Sequence, residues 1–314
     1  MKALVTGGAG FLGSHVVEEL VRRGYAVTVF DNLSSGRVAF LAPLIDAGKV
    51  HLWHSDVRDD GLIFTGYDIV MHLAAEPYIP ACFDRPVQFF ETNAQGTMNV
   101  LLAARTAKKV LVVSSSEVYG TGPGHSMDEQ TPVNPQSTYA VTKLAGDRLA
   151  LTLHKEHGIP SVIVRPFNVY GPRETQPYVI PEIIAQADRN GGRLVLGNIG
   201  SVRDFSFVAD TAAALCDLAE QGVPGEVYNW GSGEVHTIQG VAQAVCESMG
   251  LEAVIEFDEA KLRPHDVTFL QADSTKATAL IGARVRTPLS EGIDRTVAWY
   301  RDNGNRWSYE TTRA

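Results

Sequence analysis

A glycine-rich turn near the start of the chain constrains the fold more than any other feature. Residues 2–6 form a short apolar run that is typical of a buried strand, and residues 14–23 carry apolar side chains at helical spacing. Between them lies the turn GGAGFLG. The glycines Gly7, Gly10 and Gly13 would let the backbone approach a pyrophosphate, and the helix N-terminus would offer free N–H groups to it. Strand, turn and helix together predict a dinucleotide-binding unit.

An acidic residue follows the next predicted strand. Residues 25–30 are mostly apolar, and Asp31 lies 18 positions after Gly13. A carboxylate at this spacing binds the adenosine ribose hydroxyls in dinucleotide-binding folds. Because a carboxylate would repel a 2′-phosphate, we predict NAD rather than NADP as the cofactor. Arg37 lies just beyond and slightly weakens that preference.

Strands and helices alternate through the first half of the chain. Further strands are predicted at residues 51–57, 68–75, 110–113 and 162–168, with a helix at residues 93–104. This alternation predicts an α/β fold with a doubly wound parallel sheet and right-handed crossovers. Asp56, at the end of the third strand, is a candidate for the adenine edge or for a helix N-cap. His72, within the fourth strand, is expected to be packed and hydrogen-bonded rather than catalytic.

The composition disfavours several classes of protein. The formal net charge of -9 argues against a nucleic-acid-binding surface, which needs clustered lysines and arginines. The cysteines Cys82, Cys216 and Cys246 lack metal-ligand spacing, so we expect no metal site and a reducing compartment. We also expect a cytoplasmic protein without a membrane partner, because the sequence shows neither a signal peptide nor a long apolar run.

Polar side chains follow the fifth predicted strand and recur on a later helix. Ser115, Ser116 and Glu117 come directly after the strand, where open α/β sheets bind their ligands. Tyr139 and Lys143 are four residues apart and share one helix face. A tyrosine base needs its phenolate stabilised, since free tyrosine titrates near pH ~10, and a neighbouring lysine cation would do so. On their own, the tyrosine and lysine could equally be a surface pair.

Family motifs recur along nearly the whole chain. They are residues 6–13, Asp31, Asp56, residues 72–75, residues 93–97, Ser115, Tyr139, Lys143, residues 165–172, residues 203–205 and residues 263–264. Taken together, they resemble the extended short-chain dehydrogenase/reductases that act on nucleotide sugars. The resemblance implies a Rossmann NAD-binding domain at residues 1–168, to which residues 204–232 return. It also implies a smaller nucleotide-sugar-binding domain within residues 169–314, and a homodimer.

The resemblance also implies which residues bind the ligands. For NAD they are Gly7, Gly10, Phe11, Leu12, Gly13, Asp31, Asn32, Asp56, Val57, Leu73, Ala74, Ala75, Asn93, Tyr139 and Lys143. For the sugar nucleotide they are Ser115, Asn168, Arg203 and Arg263. The two arginines are candidate diphosphate clamps, since guanidinium groups suit phosphate oxygens, although either could instead form a surface ion pair.

Catalytic roles are implied by the same resemblance. Tyr139, with Lys143 and Ser115, would remove the proton of the sugar C4 hydroxyl as hydride passes to NAD. Ser116 and Glu117 would decide the fate of the resulting 4-keto sugar. In the family's 4-epimerases small neutral residues usually fill these positions. In its 4,6-dehydratases a carboxylate removes the C5 proton, the C6 hydroxyl leaves as water, and hydride returns to C6, which gives a 4-keto-6-deoxy sugar nucleotide.

The triad of Ser115, Ser116 and Glu117 is similar to the Thr-Asp-Glu or Thr-Ser-Glu of those dehydratases. It differs by having serine in place of threonine and by lacking the aspartate that acts as an acid in the first version. We therefore predict an NAD-dependent nucleotide-sugar 4,6-dehydratase. A 4-epimerase acting on UDP-glucose or UDP-glucuronate remains the first alternative, and a non-catalytic NAD-sensing regulator is a more remote one.

Overall fold

The computed structural model describes residues 1–262, 266–283 and 286–304. In chain order the strands are β1 Lys2–Thr6, β2 Ala26–Asp31, β3 Val50–His54, β4 Ile69–His72, β5 Lys109–Val113, β6 Ser161–Pro166, β7 Asn168–Tyr170, β8 Arg193–Leu196, β9 Val202–Phe207, β10 Val227–Trp230, β11 Val235–Thr237, β12 Val254–Phe257 and β13 Phe269–Leu270.

The helices lie between these strands. They are α1 Phe11–Arg22, α2 Ala42–Asp46, α3 Ile79–Cys82, α4 Pro86–Phe90, α5 Gly96–Ala103, α6 Thr138–His157, α7 Val179–Asn190, α8 Val208–Gln221, α9 Ile238–Met249, α10 Thr275–Ile281 and α11 Leu289–Asn303. A π-helical turn at Glu91–Gln95 precedes α5, and 3₁₀ turns lie at Val38–Phe40, Ser116–Tyr119 and Glu259–Lys261. No helix in the described ranges is both long and apolar enough to span a membrane.

A seven-stranded parallel sheet dominates the first half of the chain. Its strand order is β10-β6-β5-β4-β1-β2-β3, which confirms the predicted doubly wound α/β fold. The chain first moves outward from β1 to β3 and then returns to place β4 beside β1. The connections on either side of this switch point leave in opposite directions, so a crevice opens at the carboxyl ends of β1 and β4.

Apolar side chains bury both faces of this sheet. On one face, Val16 of α1 and Leu215 of α8 belong to a core cluster with side chains of β1, β2 and β5. On the other face, Leu101 of α5 and Leu153 of α6 pack with residues of β4, β5 and β6. Burial on both faces explains why these strands read as continuous apolar runs in the sequence rather than as alternating ones.

Three predicted strands end earlier than the sequence indicated, and the fourth of the chain, predicted to reach residue 75, ends at His72. The third strand ends at His54, so Asp56 lies in the following loop rather than at a strand end. It does not cap a helix, because its Oδ1 accepts the backbone N–H of Arg58 in a turn. The sixth strand ends at Pro166, which has no N–H to continue the ladder.

The chain then crosses to a second sheet within one residue. Phe167 lies between β6 and β7, and its N–H donates to the carbonyl of Trp230 at 2.8 Å. Strand β7 pairs with β9, which also pairs with β11 and β13, and a separate pair is formed by β8 and β12. Helices α7, α9 and α11 pack against this region around a core that includes Ile183 and Val245. In contrast, α8 and β10 return to the main sheet.

Candidate active site

A cleft of about 420 Å³ lies at the carboxyl ends of the central strands and extends to the second sheet. It brings together most of the residues that the sequence predicted. Those in its wall are Gly7, Gly10, Phe11, Leu12, Gly13, Asp31, Asn32, Val57, Leu73, Ala74, Ala75, Ser115, Ser116, Glu117, Tyr139, Lys143, Asn168 and Arg203. Asp56 and Asn93 do not line it, and Arg263 lies outside the described residues.

The glycine turn requires glycine at two positions for steric reasons. Gly7 has φ of +70°, and a Cβ there would lie 2.6 Å from the backbone nitrogen of Ala74. A Cβ on Gly13 would lie 2.1 Å from the carbonyl oxygen of Gly7. The turn therefore brings β1, β4 and α1 closer together than any side chain would permit. Helix α1 begins after Gly10 with neither a side-chain cap nor an acidic residue in its first turn, an arrangement that favours a bound anion.

Asp31 lies at the end of β2 with its carboxylate held in place. Its Oδ2 accepts the N–H of Ala9 at 2.9 Å, and its Oδ1 accepts the N–H of Leu33 at 2.8 Å. Burial raises the pKa of Asp31, and the two backbone N–H groups oppose that shift. Each oxygen keeps a lone pair that could accept a ligand hydroxyl.

Two serine side chains cap the turn and the helix that carry the reactive residues. Ser115 follows β5 and caps the 3₁₀ turn Ser116–Tyr119, with its Oγ accepting the N–H of Glu117 at 3.2 Å. Ser137 caps α6 in the same way, through the N–H of Ala140 at 3.1 Å. These caps place Glu117 beside the end of β5 and Tyr139 in the first turn of α6.

Tyr139 and Lys143 have shifted acid–base properties. Lys143 Nζ donates to the carbonyl of Val113 at 2.6 Å. Burial lowers the pKa of Lys143 to about 8, although Asp147 opposes this shift. Burial raises the pKa of Tyr139 to about 12, against the opposing effect of a hydrogen bond with Ser115. The phenol is therefore protonated at neutral pH, and positive charge added beside it would favour its phenolate.

His72 is a packed, hydrogen-bonded residue, as expected. The hydroxyl of Thr97 donates to the carbonyl of Asn93 at 2.6 Å, so it is free to accept from His72 Nε2 at 2.9 Å. His72 Nδ1 must then accept the hydroxyl of Thr6 at 2.7 Å, an assignment that follows from the hydrogen-bond network. Burial lowers the pKa of His72 to about 3, with a contribution from Lys143, so the ring is neutral.

Asn93 and Asp56, both predicted to contact the cofactor, make other contacts. Asn93 lies behind the cleft wall, where its Oδ1 accepts the N–H of Glu76 and its Nδ2 donates to the Glu76 carbonyl. The same Nδ2 lies 3.1 Å from Thr142 Oγ1 of α6. Asn93 therefore ties the loop after β4 to the helix of Tyr139. The carboxylate of Asp56 accepts hydrogen bonds from Asn32 and Arg58.

Asn168 and Arg203 line the far end of the cleft. Asn168 Oδ1 is buried without a hydrogen-bond partner among the described residues, so it is available to a ligand. Arg203 is engaged by its own surroundings, because its guanidinium donates to the carbonyls of Val202 and Val267 and lies 3.5 Å from Asp266.

Several residues of the cleft wall were missed by the sequence analysis. They include Glu76, Tyr178, Asn198, Lys261 and Asp266. Two of them lie next to family motifs in the sequence and could have been found in that way. Glu76 directly follows the motif at residues 72–75, and Asp266 lies two residues after the motif at residues 263–264. The others lie on loops that only the tertiary fold brings to the cleft. The described residues include no group of three or more His, Cys, Asp or Glu side chains that could hold a metal ion.

A family model for GDP-mannose 4,6 dehydratase matches residues 4–296. The chain belongs to this family. A dTDP-glucose 4,6-dehydratase of Streptomyces niveus is 34% identical over 98% of this chain and 95% of its own length.

Solved structures support the same relationship. A double mutant of DesIV, a dTDP-glucose 4,6-dehydratase from Streptomyces venezuelae crystallised with NAD bound, superposes with a TM-score of 0.89 at 32% identity, over 96% of this chain and 98% of that one. UDP-glucose 4-epimerase of Thermus thermophilus, in complex with NAD, gives a TM-score of 0.85 at 31% identity, over 96% and 99% of the two chains. The family is therefore established, and both a 4,6-dehydratase and a 4-epimerase occur among the similar structures.

The buried hydrogen bonds of Asn93 predict a loss of stability when they are removed. Asn93→Ala leaves both backbone polar groups of Glu76 without their partner and should lower the free energy of unfolding by about 1–3 kcal/mol. Urea denaturation measures this loss. Asn99→Ala is the control, because Asn99 is only partly buried and bonds the Val57 carbonyl at 3.0 Å, and it should cost less. Equal losses in the two variants would contradict the stabilising role of the Asn93 hydrogen bonds.

Proposed function

We propose that this protein is an NAD-dependent nucleotide-sugar 4,6-dehydratase. The observation that carries the proposal is the presence of a carboxylate residue, Glu117, in the same cleft as Tyr139 and Lys143, with its backbone N–H bound by the Ser115 cap. Oxidation at the sugar C4 needs only Tyr139, Lys143 and Ser115, whereas loss of water also needs a base for the C5 proton. A cleft that offers both sets of groups suits the dehydratase better than a simple epimerase.

The residues at the end of the cleft that is formed by the glycine turn, the start of α1 and Asp31 fit NAD. The close-packed glycine turn and the uncapped start of α1 suit a pyrophosphate, and Asp31 suits a ribose diol. When bound, NAD supplies the hydride acceptor and donor of a reaction without net redox change. We propose that residues 1–168, with the returning α8 and β10, form the NAD-binding domain, and that most of residues 169–314 bind the nucleotide sugar. The sequence predicted that the return begins at residue 204, but residues 204–207 belong to β9 of the second sheet.

Tyr139 is proposed as the base for the sugar C4 hydroxyl. Its phenol must lose a proton first, which the positive charge of Lys143 one helical turn away favours. Ser115 hydrogen-bonds Tyr139 and is placed to contact the same sugar hydroxyl. Because the proton acceptor and the cation lie on one rigid helix, their geometry does not depend on a mobile loop.

Glu117 is proposed as the base for the C5 proton, which the neighbouring C4 ketone acidifies. Removal of this proton allows the C6 hydroxyl to leave, and that hydroxyl needs a proton to depart as water. Ser116 is nearly fully buried beside Glu117 and has no carboxylate to offer. Glu117 would therefore return the proton it took from C5 to the leaving hydroxyl.

At the other end of the cleft, Asn168 and Arg203 are proposed to contact the sugar diphosphate. The Nδ2 of Asn168 would donate to a phosphate oxygen, while its Oδ1, which has no partner among the described residues, would accept from a ligand hydroxyl. The guanidinium of Arg203 would attract the phosphates. Arg263, the second predicted clamp, remains a proposal from the sequence alone.

The second candidate is a nucleotide-sugar 4-epimerase. One observation favours it: the 4-epimerase of Thermus thermophilus is as similar to this chain, at 31% identity, as the structurally aligned dehydratase is, at 32%. That reaction would use Tyr139, Lys143 and Ser115 alone and would assign no step to Glu117.

A substrate panel tests the proposed function. The protein is incubated with UDP-, GDP-, dTDP- and CDP-sugars, and the product masses are measured. A product lighter by one water is expected. An unchanged mass with inverted C4 would replace the dehydratase with the epimerase, and no turnover of any sugar would favour the NAD-sensing regulator.

Replacement of Glu117 separates the two halves of the reaction. In Glu117→Gln the C4 oxidation should survive, seen as the absorbance of reduced nicotinamide on the enzyme. Release of dehydrated product should fall by about 10²–10⁴-fold, the contribution of one general base. Glu156→Gln, an exposed carboxylate at the far end of α6, is the matched control and should behave like the parent enzyme. Full turnover by Glu117→Gln would remove Glu117 from the mechanism.

We propose that the protein is cytoplasmic, as part of this assignment. Cys82, Cys216 and Cys246 are buried, and none of them forms a disulfide, which suits a reducing compartment.

We also propose a homodimer that forms through α4, α5 and α6. These three helices pack side by side and carry several exposed apolar side chains. They are Val87, Phe90, Met98, Leu102 and Val141. A patch of this kind on neighbouring elements is typical of a protein–protein interface.

Charged substitutions in the patch should therefore dissociate the dimer. Val141→Glu and Phe90→Glu place a charge on side chains that are 52% and 57% exposed in the single chain. Light scattering after size exclusion should give about twice the 34.0 kDa chain mass for the parent protein and the single-chain mass for the variants. Ile63→Glu, on a side chain that is 66% exposed outside these helices, should leave the dimer intact. A parent protein of single-chain mass would refute the interface.

A further inference from the structure

A fully buried ion pair lies directly behind the reactive tyrosine and lysine. Asp147 Oδ2 accepts from Arg165 Nε at 2.8 Å, and the two side chains are 0% and 4% exposed. Asp147 lies on α6 one turn after Lys143, and Arg165 lies on β6 next to β5. The desolvation cost of such a pair can cancel its attraction, so stability alone is a weak reason for its presence.

The far side of Arg165 is anchored by a second set of contacts. Its Nη1 donates to the hydroxyl of Tyr119 at 2.8 Å, and its guanidinium lies 5.0 Å above the ring of the same residue. The Tyr119 hydroxyl donates in turn to Asn229 Oδ1 at 2.8 Å, and Asn229 Nδ2 donates to the carbonyl of Met127 at 2.9 Å. Arg165 therefore has little freedom to move, and it holds the carboxylate of Asp147 in one position.

The surroundings of Lys143 are otherwise poor in negative charge. Strand β5 contributes the carbonyl of Val113, and β4 contributes the neutral ring of His72. On its own helix, Tyr139 is protonated at neutral pH, and the carboxylate of Asp147 favours the ammonium. Burial raises the pKa of Asp147, and the adjacent Arg165 guanidinium opposes that shift, so the ion pair favours the charged carboxylate. The negative charge of Glu117, on the 3₁₀ turn after β5, contributes to the raised pKa of Tyr139.

We propose that Asp147 is a positioning residue, which Arg165 holds in place so that its carboxylate keeps Lys143 in the charged form in the dry interior of the cleft wall. The proposal rests on the function proposed above, in which Lys143 must be a cation to stabilise the phenolate of Tyr139. Asp147 itself touches neither of the proposed ligands, and it acts through the charge of Lys143.

The physical need for such a residue follows from burial. A buried lysine without an anionic neighbour can lose its proton several pH units below its ordinary pKa. A neutral Lys143 could still donate to the Val113 carbonyl, so the fold would tolerate it. It would no longer offer a positive charge to Tyr139, and proton removal from the sugar would become harder. Asp147 supplies charge rather than an additional structural contact to Lys143.

The titration of Lys143 tests the proposal directly. Its pKa is followed by NMR of the lysine side-chain carbons, with the resonance assigned by its absence in Lys143→Met. In the parent protein Lys143 should still be charged at pH 7, since its pKa lies at about 8. In Asp147→Asn the pKa should fall by at least about one unit, the usual effect of losing an opposite charge nearby. Asparagine keeps an acceptor for Arg165, so the packing is preserved.

Arg165→Lys is the matched control. It disturbs the same buried pair but keeps both charges, so it should shift the pKa of Lys143 by less than Asp147→Asn does. Equal shifts in the two variants would mean that any disturbance of the pair has the same effect and would overturn the proposal. A parent protein in which Lys143 is already neutral at pH 7 would overturn it as well, whether or not the variants fold.

This experiment is independent of turnover. If no nucleotide sugar is converted, the proposed function fails, while the titration still decides the role of Asp147. If one is converted, Asp147→Asn should move the alkaline fall of kcat to lower pH, because Lys143 then loses its proton earlier. Asp147→Glu should restore most of the parent profile. An unchanged pH profile in Asp147→Asn, with only a loss of stability, would reduce the pair to a structural role.

Discussion

The hydrogen bond between Lys143 Nζ and the carbonyl of Val113 joins helix α6 to the end of the central strand β5. The reactive part of the cleft depends on this contact. Ser115 and Glu117 follow β5, while Tyr139 lies on α6, so a shift of the helix along the sheet would separate the groups that must meet on one sugar. A short bond from a charged donor to a buried carbonyl resists such a shift, because neither group could find water in its place.

Burial gives the same residues their chemistry. The cleft wall excludes water from Tyr139 and Lys143, which moves the pKa of the phenol up and the pKa of the ammonium down. Left uncorrected, both shifts would oppose proton abstraction. The positive charge of a bound NAD would favour the phenolate, and the carboxylate of Asp147 is proposed to favour the ammonium. The fold thus keeps the site dry enough for strong electrostatic interactions and supplies the charges that a dry site needs.

Local patterns in the sequence indicated the strands of the main sheet, the glycine turn and five reactive candidates, which the structure places in one cleft wall. Each of these depends on neighbours a few positions away, as for the apolar runs of the central strands or the spacing of Tyr139 and Lys143. The contacts of Asn93 with Glu76 and of Asp147 with Arg165 join different elements, so no short-range pattern indicates them. The residues at the far end of the cleft, such as Asn198, reach it only through the packing of the second sheet.

The passage of the chain from the main sheet to the second sheet through the single residue Phe167 limits how the cleft can move. Only two soft backbone torsions separate the two sheets there, and the bond from its N–H to the Trp230 carbonyl restrains them further. The short link and this hydrogen bond hold the two walls of the cleft together at this point. We therefore expect exchange of a sugar nucleotide to depend on the loops at the rim, such as residues 171–178, more than on a swing of one sheet away from the other.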